Sequence, residues 1–176
     1  MESHTKLSAT EPRVLLIALG NPLRGDDGVA QQVLALLGPG PNVFTEAPLH
    51  ILPEMAATLA GFDLVVFIDA DVRAVAVRME ELGSPDWQVP VRSTLTHAGD
   101  PVSLVGLAAR LFGFRGRAVV LRIPARNFVL GEGPSPEAMV WAAAARELQM
   151  LLLSRVQPLV ILPLLSPAAV VRKNSI

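Results

Sequence analysis

Two adjacent carboxylates, Asp26 and Asp27, follow the first apolar segment of the chain, which covers residues 14–19. A continuous apolar run of this kind is typical of a strand that is covered on both faces. The sequence Gly20-Asn21-Pro22 predicts a sharp loop, because glycine tolerates positive φ and proline lacks an N–H donor. A helix is predicted from Asp27 onward, and we assign Asp26 to its N-terminal cap. One cap leaves Asp27 without a structural role, so Asp27 is the candidate for chemistry.

A second apolar run, residues 64–68, also ends in acids, Asp69 and Asp71. Because the carboxyl ends of parallel strands open onto one edge of a sheet, Asp27 and Asp69 are expected at the same edge. His97 precedes another amphipathic segment and is the histidine that we expect beside them, whereas His50 is interpreted as a partly exposed loop residue. Two carboxylates and one imidazole form a mixed oxygen and nitrogen site that suits divalent ions such as nickel or zinc.

Several other classes of function fit the composition poorly. The chain has 176 residues, a net charge of −1 and no cysteine. The charge balance gives no indication of a nucleic-acid partner, and the lack of cysteine excludes thiolate metal sites and cysteine nucleophiles. It also fits a reducing cytoplasm, which is the expected location. Gly20, Gly25 and Gly28 do not match a dinucleotide-binding fingerprint, and a P-loop lysine is missing, so a nucleotide-binding α/β domain is the weaker interpretation.

The hydrophobic periodicity predicts an α/β fold. Strands are expected at residues 14–19, 42–47, 64–68 and 118–123, with an edge strand at 74–82, and helices after Asp27 and at 51–60, 104–111 and 134–154. This alternation predicts a three-layer α/β/α sandwich around a twisted, mostly parallel sheet of about five strands.

One domain is expected, with a tail at each end. Residues 1–12 are predicted to form a flexible N-terminal tail, residues 13–155 a single α/β domain, and residues 156–176 an apolar, proline-containing tail of unknown role. The uninterrupted apolar stretch of the second tail is shorter than the roughly 18 to 20 residues that a membrane-spanning helix needs. No membrane partner is expected, although this tail leaves surface contact open.

The motifs at these positions resemble those of the hydrogenase maturation proteases. The resemblance depends on Leu19-Gly20-Asn21 with Asp26-Asp27-Gly28, on Ile68-Asp69-Ala70 and on His97 before a helix. In weaker form it extends to residues 121–124 and to the final helix, which contains Glu137, and it covers roughly residues 13–153. Ala30 departs from the glycine that is often found at its position in the family.

The resemblance implies an endopeptidase that removes a C-terminal extension from the nickel-loaded large subunit of a nickel–iron hydrogenase. It implies that Asp27, Asp69 and His97 bind nickel and that the two aspartates are catalytic, as general base or through the metal as Lewis acid. Nickel would be carried by the precursor of the large subunit, and no organic cofactor is expected. Asn21 and Thr96 are candidates for supporting hydrogen bonds or oxyanion contacts. The alternative is a non-catalytic, metal-sensing chaperone for the loaded subunit.

Overall fold

A five-stranded sheet forms the centre of the part of the chain that the computed structural model describes, which is residues 12–38, 40–83 and 99–154. The strands are β1 (Val14–Ala18), β2 (Val43–Glu46), β3 (Leu64–Asp71), β4 (Arg78–Glu81) and β5 (Arg117–Pro124). Their order is β2-β1-β3-β5-β4. All neighbours pair in parallel except β4, which runs antiparallel to β5. The predicted mostly parallel sheet, with an edge strand within residues 74–82, is therefore confirmed.

Helices cover both faces of this sheet. They are α1 (Val29–Leu37), α2 (Met55–Leu59), α3 (Pro101–Leu111) and α4 (Trp141–Leu153). Helices α1 and α4 pack together on one face, and α2 and α3 pack together on the other. This confirms the predicted three-layer α/β/α sandwich. None of the helices in the described residues is long and apolar enough to cross a membrane.

The central strands are buried on both faces, which explains why they are apolar throughout. Along β1, Leu16 packs with the α1 and α4 side, and Leu15 packs with the α2 and α3 side. Val66 and Val65 repeat this alternation on β3. A parallel sheet between two helical layers has no solvated face, so the alternation of polar and apolar residues is absent.

Three helices begin later in the chain than predicted, among them α2, which starts at Met55 and not at residue 51. The segment after the first loop is a 3₁₀ turn (Gly25–Gly28), and α1 starts only at Val29. Helix α4 starts at Trp141 after a second 3₁₀ turn (Ala138–Val140), not at residue 134. Before α1 and before α4, a tertiary contact of Asp26, described below, fixes the backbone ahead of the helix. Of the two predicted tails, residues 1–11 of the first (1–12) and the whole of the second (156–176) lie outside the described residues.

Candidate functional site

Asp27 lies in the 3₁₀ turn after β1, where backbone contacts fix its carboxylate. Its Oδ2 accepts a hydrogen bond of 2.7 Å from the backbone N–H of Asn21. Gly20 has a φ of +114°, and a Cβ added there would lie 2.9 Å from Oδ1 of Asp27 and 2.1 Å from its backbone oxygen. Only glycine fits such a close approach at a positive φ. The loop residues therefore hold Asp27 tightly against the end of β1.

Asp69 lies near the carboxyl end of β3, beside the turn that carries Asp27. The hydrogen bond of 2.9 Å from the Leu19 N–H to the Ile68 carbonyl continues the β1–β3 pairing up to this point. The 3₁₀ turn Gly25–Gly28 packs against β3. The side chain of Asp69 remains 29% exposed, so it is open to a ligand. Because β1 and β3 are parallel neighbours, the two acidic motifs follow strands that end at the same edge of the sheet, as expected.

The environment of Asp69 disfavours its charged form. The pKa of Asp69 is raised to about 6, mainly by burial and also by the negative charges of Asp27 and Asp71, against the opposing effect of the Arg122 guanidinium. The charge of Asp27 therefore affects the protonation of Asp69. A carboxylate with a pKa in this range can take up or release a proton near neutral pH, and it is a natural ligand for a cation that relieves the repulsion.

Asp26 has a different role from the predicted helix cap. Its side chain is completely buried and accepts hydrogen bonds from the backbone N–H groups of Arg126, Asn127 (2.8 Å) and Ser135, and from the Ser135 hydroxyl (2.7 Å). The cap assignment is wrong because these donors, about 100 residues further along the chain, satisfy both of its oxygens. Burial alone would raise the pKa of Asp26, but these hydrogen bonds lower it below its ordinary value.

The structure describes only part of the predicted site. His97 and Thr96 lie outside the described residues, as does Trp87. Within the described ranges, no group of three or more His, Cys, Asp or Glu side chains could hold a metal ion. Of the three predicted ligands, Asp27 and Asp69 belong to the described residues and His97 does not. Asn21 contacts Asp27 through its backbone, whereas its side-chain Oδ1 accepts a hydrogen bond from Leu23.

His50 and Arg122 are two further residues whose placement bears on the candidate site. His50 is exposed, as expected for a loop residue. Arg122 forms an ion pair with Asp69, with 3.5 Å between Nη1 and Oδ2, and was not among the predicted site residues. A charged residue within the otherwise apolar segment 118–123 was the available signal for it.

Comparison with solved structures gives several proteins of the same architecture. The hydrogenase maturating endopeptidase HybD from E. coli superposes with a TM-score of 0.59 at 16% identity, over 81% of this chain and 93% of its own. The hydrogenase 2 maturation peptidase from a Thaumarchaeota archaeon gives 0.58 at 20% identity, over 82% of this chain and 99% of its own. The nickel–iron hydrogenase maturation protease HycI from Thermococcus kodakarensis gives 0.55 at 21% identity, over 82% and 92%.

No protein-family model matches the sequence, and no curated protein matches it either. The likeness is therefore one of structure, and it extends over nearly the whole length of each of these three proteins. The resemblance that the motifs indicated is confirmed at the level of the fold: this chain has the fold of the hydrogenase maturation proteases.

Proposed function

We propose that this chain is an endopeptidase of hydrogenase maturation, which removes a C-terminal extension from the nickel-loaded large subunit of a nickel–iron hydrogenase. The observation that carries the proposal is the meeting of Asp27 and Asp69 at one edge of the sheet, where the charge of Asp27 raises the pKa of Asp69. The fold shared with proteins that are named maturation endopeptidases supports it. The reaction would take place in the cytoplasm, which the absence of cysteine from the sequence fits.

In this proposal the two carboxylates bind the nickel that the precursor already carries, together with His97. Repulsion between two neighbouring carboxylates disfavours the empty, ionised site, and a cation between them removes that repulsion. Binding is therefore stronger for a loaded precursor than for an unloaded one, which lacks the cation. Cleavage that follows binding is restricted in the same way. A carboxylate at this position can also accept a proton from the attacking water, with Asp69 suited to it by its pKa of about 6.

The pKa of Asp69 gives the proposal a pH dependence. Both roles of Asp69, ligand and proton acceptor, require the ionised form. With a pKa of about 6, this form is lost as the pH falls through that value. Cleavage is therefore expected to decrease below about pH 6, in a profile that Asp69 sets together with the histidine.

The test uses the purified full chain with a large-subunit precursor, either loaded with nickel or stripped by a chelator. Mass spectrometry of the released peptide measures cleavage. We expect the wild type to cut the loaded precursor and to leave the stripped one intact. Asp27→Asn and Asp69→Asn should each slow cleavage by about 10²- to 10⁴-fold, the range for loss of a group that transfers a proton or orients a reactant.

Asp63→Asn is the matched control, because Asp63 is an exposed acid at the amino end of β3 whose carboxylate accepts a hydrogen bond from the backbone N–H of Arg13. It should cleave at the wild-type rate. Cleavage of the loaded precursor by Asp27→Asn at the wild-type rate would contradict the role of the carboxylate pair. Binding of the loaded precursor without any cleavage by the wild type would favour the metal-sensing chaperone instead.

A further inference from the structure

Arg122 joins the candidate site to a network of charges on the neighbouring strands. It lies on β5 directly opposite Asp69 of β3 in the sheet register. Its Nη1 is 3.5 Å from Oδ2 of Asp69, and its Nε is 3.6 Å from Oδ2 of Asp71 and 3.4 Å from Oε2 of Glu80. Only 19% of its side chain is exposed, so the guanidinium is held in a defined position. One arginine thus contacts the predicted ligand Asp69 and two acids that lie farther along the sheet.

The other acids of this network have further cationic partners. Asp71 is also paired with Arg73 and with Arg78, at 3.6 Å each. Glu80 is paired with Arg78 at 3.0 Å. Among the described residues, Arg122 is the one cation in an ion pair with Asp69. Arg78 already pairs with Asp71 and Glu80, so the particular contribution of Arg122 is the positive charge that it places beside Asp69.

We propose that Arg122 weakens the binding of free divalent cations to the Asp27–Asp69 pair, so that the site accepts a cation only when a partner protein presents it. This inference rests on the proposed function. Arginine keeps its positive charge at any physiological pH, so its effect cannot be removed by loss of a proton. A cation bound by the same carboxylate would lie about 6 Å from the guanidinium, where the repulsion in a water-like dielectric lowers affinity about tenfold.

Such weakening has a direct consequence for selectivity. A free, hydrated ion gains only the contacts with the two carboxylates, and Arg122 reduces that gain. An ion held in a precursor arrives with the additional contacts between the two polypeptides, which the arginine does not oppose. The difference in affinity between the loaded precursor and the free ion therefore increases.

The experiment is a calorimetric titration of the purified full chain with Ni²⁺ alone, in a buffer that does not bind metal. Arg122→Gln removes the charge but keeps a hydrogen-bonding side chain, and it should bind Ni²⁺ about tenfold more tightly than the wild type. Arg122→Lys retains the charge and should bind as the wild type does. Arg78→Gln is the matched control, because Arg78 pairs with Asp71 and Glu80 but not with Asp69, and its affinity should change by less than about threefold.

A gain in affinity separates this role from a structural one, since a damaged site would bind less tightly. Combining Arg122→Gln with Asp69→Asn should abolish the gain, which locates it at the site. If Arg122→Gln does not fold, Arg122→Met repeats the measurement with another neutral side chain. Unchanged or weaker Ni²⁺ binding by the neutral variant, while the wild type still cuts the loaded precursor, would overturn the inference and leave the proposed function intact. Failure of the wild type to cut would overturn the proposed function itself.

Discussion

The carboxylate of Asp26 should be among the most important single side chains for stability, and Asp26→Asn tests this with almost no change in shape. In the wild type, Oδ2 accepts three hydrogen bonds, from Arg126, Asn127 and the Ser135 hydroxyl, and Oδ1 accepts one, from the Ser135 backbone. An asparagine can place its oxygen in only one of these two positions. Its amide group then faces a backbone N–H, and two donors oppose each other.

The expected loss follows from the hydrogen bonds that cannot be remade. A hydrogen bond to a charged acceptor contributes about 1.5 to 3 kcal/mol, and the buried N–H left without an acceptor costs about 1 to 3 kcal/mol more. The free energy of unfolding should therefore fall by about 3 to 5 kcal/mol, a large part of the stability of a domain of this size. The control Asp63→Asn changes an exposed acid with a single backbone hydrogen bond of 2.8 Å, and it should cost less than about 1 kcal/mol.

Urea denaturation at several pH values measures both variants. Because hydrogen bonds lower the pKa of Asp26 in the folded state, its ionised form stabilises the fold above the unfolded pKa of about 3.9. This stabilisation is lost as the pH falls through the folded pKa. The difference between wild type and Asp26→Asn should thus be full at pH 7 and shrink below about pH 4. A difference below about 1 kcal/mol at pH 7, or one that does not change with pH, would refute the assignment of Asp26 as a buried, ionised anchor.

Three further predictions concern the site and its surroundings. Gly20→Ala should lower the free energy of unfolding by about 3 kcal/mol and impair precursor cleavage, because the added Cβ would overlap Asp27. The control is Gly113→Ala, at φ +71° with open space around it, which should cost only about 1 to 2 kcal/mol and leave cleavage unchanged. Similar costs for the two would contradict the close approach. Asp69→Asn should stabilise the protein by about 1 to 2 kcal/mol at pH 7, because the raised pKa of Asp69 makes its ionised form unfavourable in the fold. This gain should vanish below about pH 4, where Asp69 is protonated in both the folded and the unfolded state. If urea denaturation at pH 7 shows the purified variant to be less stable than the wild type, the prediction is wrong. Arg13→Met should lower the free energy of unfolding, measured in thermal or urea unfolding, by about 1 kcal/mol without affecting cleavage. The guanidinium of Arg13 lies 4.8 Å from the ring centre of Phe62 and 5.2 Å from that of Phe44, at the opposite end of β1 from the site. A loss of cleavage would show that this end is coupled to the site.

The sequence was sufficient for those features that depend on local pattern. Continuous apolar runs predict β1 and β3, and the rule for the carboxyl ends of parallel strands predicts Asp27 and Asp69 at one edge of the sheet. The residue type of Gly20 alone predicts its place in a loop. These inferences require only neighbouring residues and a general property of parallel sheets.

Features that depend on contacts between distant segments were not predictable in this way. Asp26 looked like a helix cap because its donors at Arg126, Asn127 and Ser135 are about 100 residues away in the sequence. The late start of α4 has the same origin, since Ser135 is engaged by Asp26 and a 3₁₀ turn follows before the helix. The pairing of Arg122 with Asp69 depends on the register between β3 and β5, which the sequence pattern does not specify.

The buried anchor at Asp26 also has a consequence for the order in which the protein becomes functional. During synthesis, the amino-terminal third of the chain leaves the ribosome with Asp26 but without any of its three partner residues. The turn that presents Asp27 gains these hydrogen bonds only once Ser135 has emerged. A nascent chain released before that point would retain the acidic motif but lack the contacts that shape it, so competence is delayed until the segment that contains Ser135 has been made.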